Sequence, residues 1–338
     1  MNLADAPSRD ADHWSLRPWI RPRTIALLLI ALMLAGVSAQ RTEIDRMLAL
    51  SAQGIGAALG GSQTSQVANG FRRIGRNLLP LQLSETRDLA RIENLDRDAL
   101  PWGARIELQP VTERRMDPET LKITQTIGQR EVLFEPYGYL LHVLWLMVQT
   151  LEIAVWGTLV AVVVGAPLAL LGARSYSPHA TVYLAARGAA SFLRSIPDLI
   201  SALFLVLAFG FGPIAGVLAL GLHTAGFLGK FFAEDIENAP PGPQDALRAT
   251  GAGRLKILRF AVLPQVMPSY LGYMQYILER NIRTATVIGI VGAGGIGQEL
   301  KGRFEMFDFQ HVATMLLVIF LTVLALEFAT GRLRQKMI

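Results

Sequence analysis

Cysteine is absent from the 338 residues. That excludes disulfides, zinc–thiolate sites, iron–sulfur clusters and cysteine nucleophiles together. Histidine is scarce as well: His13, His142, His179, His223 and His311 are scattered without the HxxxH or HxxE spacing that sets two ligands on one helical face, so no metal site is supported. Charge is thin. Asp, Glu, Lys and Arg make up 17% of the chain against 51% for hydrophobic residues, with a mean hydropathy of +0.36. Such a chain is too apolar for an ordinary soluble domain and too polar to lie wholly in lipid. The formal charge of +5 and pI near 9.7 raise the question of nucleic acid. Lys and Arg, however, sit beside apolar runs rather than in an aromatic-interleaved patch, which fits the basic loops of a membrane protein and no nucleic-acid partner. No Walker lysine motif and no nucleophile–base pair is present, so neither a catalytic residue nor a cofactor site is read in this chain.

What is present is a succession of long apolar runs. TIALLLIALMLAGVSA, residues 24–39, follows Arg17, Arg21 and Arg23. With a long tail before it and no convincing cleavage site it reads as an uncleaved anchor, giving a cytoplasmic tail over 1–23 and a first transmembrane helix over 24–40. Residues 41–137 turn polar and charged and read as an extracytoplasmic segment to which the sequence assigns no fold. From 138 to 338 the chain is apolar almost throughout. The run at 140–175 exceeds one span of about 20 residues and reads as an interfacial helix followed by a span over 149–172. Further spans are expected over 183–209 and 212–232, from near Met267 onward, and through ATMLLVIFLTVLALEFAT, which is followed by Arg332, Arg334 and Lys336. The expectation is a multi-pass protein of the inner (plasma) membrane, in contact with lipid, with about six transmembrane helices and both termini cytoplasmic. Arg280, Arg283, Lys301 and Arg303 then fall toward the outer side, against the positive-inside bias.

The stretch VIGIVGAGGIGQEL, residues 287–300, holds Gly292, Gly294 and Gly297 in GxGxxG spacing after a β-branched run. This is the pattern of a dinucleotide-binding loop, and a membrane-bound oxidoreductase is one reading of it. That fold needs alternating strands and helices, with an acidic residue about 20 positions on at the end of the next strand. Here that position lies within the apolar MLLVIF. The preferred reading is a bent element beside a translocation path, in which Gly292, Gly294, Gly295 and Gly297 serve gating or close backbone packing.

The most specific signal is DALRATGAGRLKILRFAVLPQ, residues 245–265, within a cytoplasmic loop at 240–265. PPGPQ supplies a turn and a helix start, with Asp245 expected in the first turn, where the helix dipole favours an anion. Gly251 allows a bend between two short helices. Leu255, Leu258 and Val262 are expected on one apolar face, and Pro264 closes the unit. Such a helix–bend–helix suits docking in a groove of a partner protein, or lying on lipid headgroups.

The spacing resembles the EAA loop of ABC importer permeases, with Asp245, Ala246, Gly251, Leu263 and Pro264 at the matching positions; Asp245 stands in place of the usual Glu and Leu247 where a second Ala is common. Together with ALRATGAGRL, VLPQVMP, ERNIRTATVIGIVGAGGIG and HTAGFLGK, it resembles the phosphonate permease subunit of these importers over about 145–338. The resemblance implies an all-α integral membrane protein, a type I importer permease bundle with an extracytoplasmic segment between its first and second helices. It also implies a homodimer, two ABC ATPase subunits that bind ATP and Mg, and an extracytoplasmic phosphonate-binding protein. Asp245, Ala246, Gly251, Arg254, Leu263 and Pro264 would couple to the ATPase, and the permease itself would perform no chemistry.

For an anionic cargo the candidate path residues lie in LERNIRTATV: Glu279, Arg280, Asn281 and Arg283. The alternative for these is structural, a Glu279–Arg283 pair four residues apart on one face with Arg280 snorkelling to headgroups. Arg194 reads as a cytoplasmic anchor and His223 as a hydrogen-bonded packing residue. Besides the importer, a secondary transporter or channel for an anion stays open; it would leave the coupling loop without a purpose.

Overall fold

The computed structural model describes residues 22–58, 66–92, 97, 100–116 and 123–337. The tail 1–21, with Arg17 and Arg21, lies outside the described residues, as does the 59–65 part of the small-residue stretch before α3. The chain divides into two units, Met1–Arg76 and Asn77–Ile338. In the first, α1 (Pro22–Arg41) carries the first apolar run, and α2 (Ile44–Ala58) follows after a bend of 66°. Glu43, at the bend, has a positive φ of 51°. The helix α3 (Gln66–Leu78) ends at the boundary.

The second unit opens on the later part of the polar segment, where the described residues after α3 form strands and one 3-10 turn, Leu89–Arg91. Strands β1 (Glu85–Asp88), β2 (Arg105–Met116) and β3 (Ile123–Glu135) form an antiparallel sheet in the order β1-β3-β2. β2 and β3 pair without interruption from Arg105↔Phe134 to Met116↔Ile123. Pro110 sits in β2, an edge strand, where its missing N–H costs no ladder bond on the outer side. The expected all-α protein is therefore mostly helical with one small sheet.

Beyond Pro136 the chain is a helical bundle. α4 (Gly138–Leu171) is one helix of 34 residues, about 51 Å at 1.5 Å per residue. The expected interfacial helix and separate span are thus continuous: nothing in 140–166 breaks the hydrogen-bond ladder, and Pro167 falls in its last two turns. The expected span over 183–209 is instead broken. α5 (Ala180–Ser195) and α6 (Asp198–Phe209) meet at 91°. Pro197 lacks an N–H and disfavours the helical region for the residue before it, and Ile196 is accordingly extended, at φ −84° and ψ 122°.

α7 (Pro213–Asn238) is the central helix, with 56% of its apolar window buried against 39% for α4 and 28% for α12 (Phe309–Met337). It packs on α4 through small residues. A methyl group on Gly165 would lie 3.1 Å from the Ala225 oxygen, and one on Gly221 would lie 2.6 Å from Val160 Cγ1. Between α7 and α12 come α8 (Pro241–Ala249), α9 (Arg254–Ile257), α10 (Leu263–Ile288) and α11 (Ile296–Glu305). Among the described residues three helices are long and apolar enough to cross a membrane, and up to five spans result if each bent pair counts as one. α10, at 26 residues, has the length to cross as well, although it carries Glu279, Arg280 and Arg283.

The bundle core is in two clusters. One gathers Tyr139, Met147, Ile153, Leu220, Ile288 and Met315; the other gathers Ala169, Leu228, Phe232, Val262, Tyr270 and Ile277.

Candidate functional site

The loop between α7 and α10 is built by its end caps. Pro240 and Pro241 start α8, since proline is pre-shaped for a first turn. At its other end Thr250 caps the helix and Gly251 takes φ +79°, the left-handed region that favours glycine. The Gly251 N–H donates to the Arg248 carbonyl at 2.9 Å and the Ala252 N–H to that of Leu247 at 3.1 Å. This is the paired closure that satisfies the last carbonyls of a helix, and it fixes the bend expected at Gly251.

Three details differ from expectation. Asp245 lies in the second turn, because α8 begins as early as Pro241; its charge is matched by Arg248 at 2.8 Å rather than by the helix terminus. Leu255 does not share a face with Leu258 and Val262. It is 79% exposed while they are 8% and 0% exposed. A single wide turn with the i→i+5 pattern, Leu258–Val262, then joins α9 to α10. Pro264 opens α10 instead of closing the loop. The outcome is an exposed ledge: Asp245, Ala246, Gly251, Arg254 and Pro264 are exposed and Leu263 half-buried. Leu255 and Phe260, 64% exposed, add apolar surface to it.

The glycine stretch is a tight reversal between two helices. α10 runs to Ile288 and continues as one 3-10 turn, Gly289–Val291. Gly292, Gly294 and Gly295 then take φ of +94°, +84° and +71°, and α11 starts at Ile296. The turn is pinned from outside, with the Ile296 N–H donating to Thr150 Oγ1 at 2.9 Å and the Gly212 N–H to the Gly292 carbonyl at 3.0 Å. A methyl group on Gly297 would fall 2.1 Å from the Thr286 oxygen. A helix stands where a dinucleotide fold needs a strand, and an added methyl group would meet backbone at Gly294 (Pro213 N, 3.0 Å) and Gly297 but side chains at Gly292 (Phe211) and Gly295 (Thr150).

A polar layer separates the two apolar clusters. The Asn281 amide donates to Thr158 Oγ1 at 3.0 Å and its oxygen accepts from Thr224 Oγ1 at 3.2 Å, tying α10 to α4 and α7. Asn281 is 1% exposed, so this side chain is committed inside the bundle. Beside it Arg280 Nη2 donates to Asp198 Oδ2 at 2.9 Å and also meets His223 Nε2 at 2.9 Å. His223 Nδ1 lies 2.8 Å from the Ile196 carbonyl. Glu279 and Arg283 pair at 2.8 Å on the half-exposed face of α10.

The basic residues that conflicted with the charge bias all have acidic partners. Besides Arg280 and Arg283, Arg303 pairs with Glu299 at 2.8 Å and Asp308 at 3.2 Å, and Lys301 lies 3.8 Å from Glu305. Arg194 lies in the last turn of α5, where a cation meets the negative end of the helix. Sequence reasoning missed Asp198 as a partner of Arg280. Its signal was RSIPD, in which proline marks a helix break and the following acid a helix start. It also missed a shallow basic depression of about 710 Å³ on the sheet, lined by Arg87, Asp88, Arg91 and Arg130. Arg87 and Arg130 are themselves paired there, with Glu85 at 2.9 Å and Asp88 at 3.0 Å.

The chain can now be set beside known proteins. The family described as the inner membrane component of binding-protein-dependent transport systems matches residues 161–338. The chain is 52% identical over 259 residues to the putative phosphite transport system permease protein HtxE of Stutzerimonas stutzeri, covering 77% of this chain and 99% of that protein. It is 40% identical over 190 residues to the phosphate-import permease protein PhnE of Mycolicibacterium smegmatis, covering 56% of this chain and 36% of that one. Among solved structures it is similar in fold to a chain of the MetNI methionine ABC transporter in an inward-facing conformation, 22% identical with a TM-score of 0.50, covering 58% of this chain and 97% of that one. With more than half of its length matched, the chain belongs to the binding-protein-dependent inner membrane components, the permease subunits of ABC importers whose ATPase and binding protein are separate chains.

Proposed function

We propose that the chain carries phosphite, a phosphonate or a related phosphorus oxyanion into the cell, as a homodimer served by two ATPase subunits and an extracytoplasmic oxyanion-binding protein. The observation that carries the cargo class is the 52% identity to a relative named for phosphite, sustained over 99% of that relative. Relatives named for phosphonate transport and phosphate import stand beside it. An ATP-driven permease gives the loop at 240–265 a role that a secondary transporter would not. In this reading the tail 1–23 and the C-terminus are cytoplasmic, a first span over 24–40 leads to the external segment 41–137, and the core 138–338 forms the path. Asp245, Ala246, Gly251, Arg254, Leu263 and Pro264 form the surface the ATPase grips. The exposed Leu255 and Phe260 supply its apolar anchor. ATPase closure would move this ledge as a rigid body and tilt α10 with it, opening the bundle toward the binding protein. The path runs past Glu279, Arg280 and Arg283, with Asn281 fixing α10 from behind and the glycine turn at Gly292, Gly294, Gly295 and Gly297 closing its outer end.

The test is ATP-dependent uptake of labelled phosphite and methylphosphonate by proteoliposomes holding the permease, its ATPase and its binding protein. The native chain is compared with Asp245→Arg and Gly251→Pro. Uptake by the native chain that is lost in both variants, with the protein still in the membrane, is the expected result. Native uptake that persists in both variants would sink the coupling assignment. Failure to take up any phosphorus oxyanion would remove the cargo class.

A further inference from the structure

The last two turns of α7 carry three acids, Glu234, Asp235 and Glu237, and they face two different helices. Asp235 faces α10, where the Tyr273 hydroxyl donates to its Oδ1 at 3.4 Å and the Tyr270 hydroxyl donates to the nearby Phe232 carbonyl at 2.9 Å. The two glutamates face α5. There all three nitrogens of the Arg187 guanidinium meet an acceptor. Nε donates to the Gly172 carbonyl at 2.8 Å and Nη2 to Glu237 Oε2 at 2.8 Å, while Nη1 lies 3.6 Å from Glu234 Oε1, which Lys230 also approaches. The second oxygen of Glu237 accepts the Arg174 N–H at 2.7 Å. One guanidinium and one carboxylate thus gather the end of α4, the link after it, α5 and α7. Their side chains are 23% and 28% exposed, so this is not the solvated kind of pair that contributes little.

Further along α5 the contact with α7 is of another kind. A methyl group on Gly226 would meet the Ala190 oxygen at 2.5 Å and the Arg194 nitrogen at 2.8 Å, so the two backbones touch there through a bare glycine. Close packing without a directional bond lets helices slide past one another. The fork of Arg187 is directional and resists that slide. It also sits at the end of α7 that bears the exposed ledge. Three residues separate Glu237 from Pro241, where α8 starts. Gln244 of α8 closes the joint, its Nε2 donating back to the Ala239 carbonyl at 3.0 Å and the Pro240 carbonyl at 3.3 Å.

We infer that Arg187 and Glu237 form a strut that passes movement of the ledge into α4 and α5. This rests on the ledge at 240–265 being the surface the ATPase moves, and not on the cargo class. When α8 shifts, the short joint carries Glu237 with it. Glu237 then draws on the α4–α5 link at Arg174 and on α5 at Arg187. α5 leads to the break at Pro197, where α6 turns away at 91° and a hinge can take up the displacement. α10 receives the same movement through Leu263 and through Tyr270 and Tyr273, so both sides of the bundle are driven from one point. Arg187 and Glu237 act through the helices they join, and both are positioning residues.

ATP hydrolysis and uptake of labelled phosphite and methylphosphonate, measured on the same proteoliposomes with ATPase and binding protein, test the strut. Arg187→Gln is expected to lower uptake per ATP hydrolysed by about tenfold. Hydrolysis itself is expected to rise, because closure of the ATPase no longer has to move α4 and α5. A merely structural loss would reduce the amount of working transporter and leave that ratio unchanged. Glu237→Gln keeps the shape but offers one accepting oxygen to two donors, so the same drop is expected. The double variant is expected to be no worse than either single one, as for two halves of one contact. Arg187→Lys serves where Arg187→Gln fails to assemble; an ammonium cannot hold Gly172 and Glu237 in one fork, and its ratio is expected to fall as well. A native ratio in Arg187→Gln or Arg187→Lys, or losses that add in the double variant, would overturn the strut. Asp245→Arg, run beside them, separates the two readings. Uptake intact in Asp245→Arg removes the ledge and the strut with it, whereas uptake lost there with a native ratio in Arg187→Gln removes the strut alone. If the native chain takes up no phosphorus oxyanion, the cargo class falls and hydrolysis decides: a rate in Arg187→Gln no higher than the native one overturns the strut.

Discussion

At Gly297 one methyl group decides whether α10 and α11 can meet. Its Cβ would lie 2.1 Å from the Thr286 oxygen and 2.9 Å from Gly289 Cα, backbone atoms that cannot rotate away. Gly297→Ala is therefore expected to destabilise the bundle by about 1–3 kcal/mol through overpacking. Gly302→Ala, in the same helix with nothing within 4 Å of the added atom, should be neutral or stabilising by up to about 1 kcal/mol. Thermal unfolding of the two purified variants against the native chain checks the pair, and equal melting temperatures would refute the packing account. Asn281 makes the companion case. Asn281→Ala removes the one partner that the Thr224 hydroxyl has among the described residues and should cost about 0.6–1.7 kcal/mol, the range of hydrogen bonds between membrane helices, in the same assay. The glycines were visible in the sequence as a motif, but what they pack against was not. GxGxxG spacing describes small side chains and is silent on whether the neighbour is a phosphate or another helix backbone.

Elements were legible to the extent that one periodicity governed them. The apolar runs gave α4, α7 and α12 because a membrane span is set by composition over some 20 residues. The sheet was hidden because β2 carries Arg105, Glu107, Arg114 and Arg115, and β3 Arg130 and Glu131, among their apolar positions, so no clean alternation marked a strand. The break at Pro197 was hidden by the opposite error, since an apolar run on both sides of a proline scores as one span. The bend at Gly251 was legible, and its geometry sets a graded outcome. Gly251→Ala meets no atom within 4 Å and keeps its N–H, so the cost is the left-handed φ, about 1–2 kcal/mol. Uptake is expected to fall but persist, whereas Gly251→Pro, which loses the N–H and cannot adopt φ +79°, should abolish it. Equal uptake in both would show that the cap is dispensable.

At the α11–α12 junction burial pushes Asp308 up, but His311, 2.6 Å away, and Arg303, 3.2 Å away, outweigh it and hold the carboxyl below its ordinary range. A depressed carboxylate contributes stability that is present above its unfolded value, near 3.8, and is lost as pH falls through the lowered one. Melting temperature should therefore decline more steeply below about pH 4 in the native chain than in Asp308→Asn. Parallel pH profiles would refute that contribution.

For the whole molecule, orientation follows from which loops face the ATPase, and a chain without cysteine makes it directly measurable. Trp102 is 85% exposed beside the sheet, and Leu255 is 79% exposed on the ledge between α8 and α10. A single cysteine at either site adds one reactive thiol to a silent background. With both termini inside, Trp102→Cys should react with a membrane-impermeant maleimide added to intact spheroplasts. Leu255→Cys should react only in inverted vesicles, and co-expressed ATPase should protect it, because the ledge is then covered. The reverse pattern would invert the topology. Leu255→Cys that labels from inside with equal speed with and without ATPase would separate the two claims, keeping the orientation while moving the docking surface elsewhere. The sequence assigned the two faces from the basic residues near span ends, and the basic residues of α10 and α11 ran against that assignment. In the structure these cations are internally paired, Arg280 with Asp198 and Arg303 with Glu299 and Asp308. A paired cation exerts little of the field that the positive-inside rule depends on, so these arginines weigh little against the expected orientation, which the labelling pattern decides.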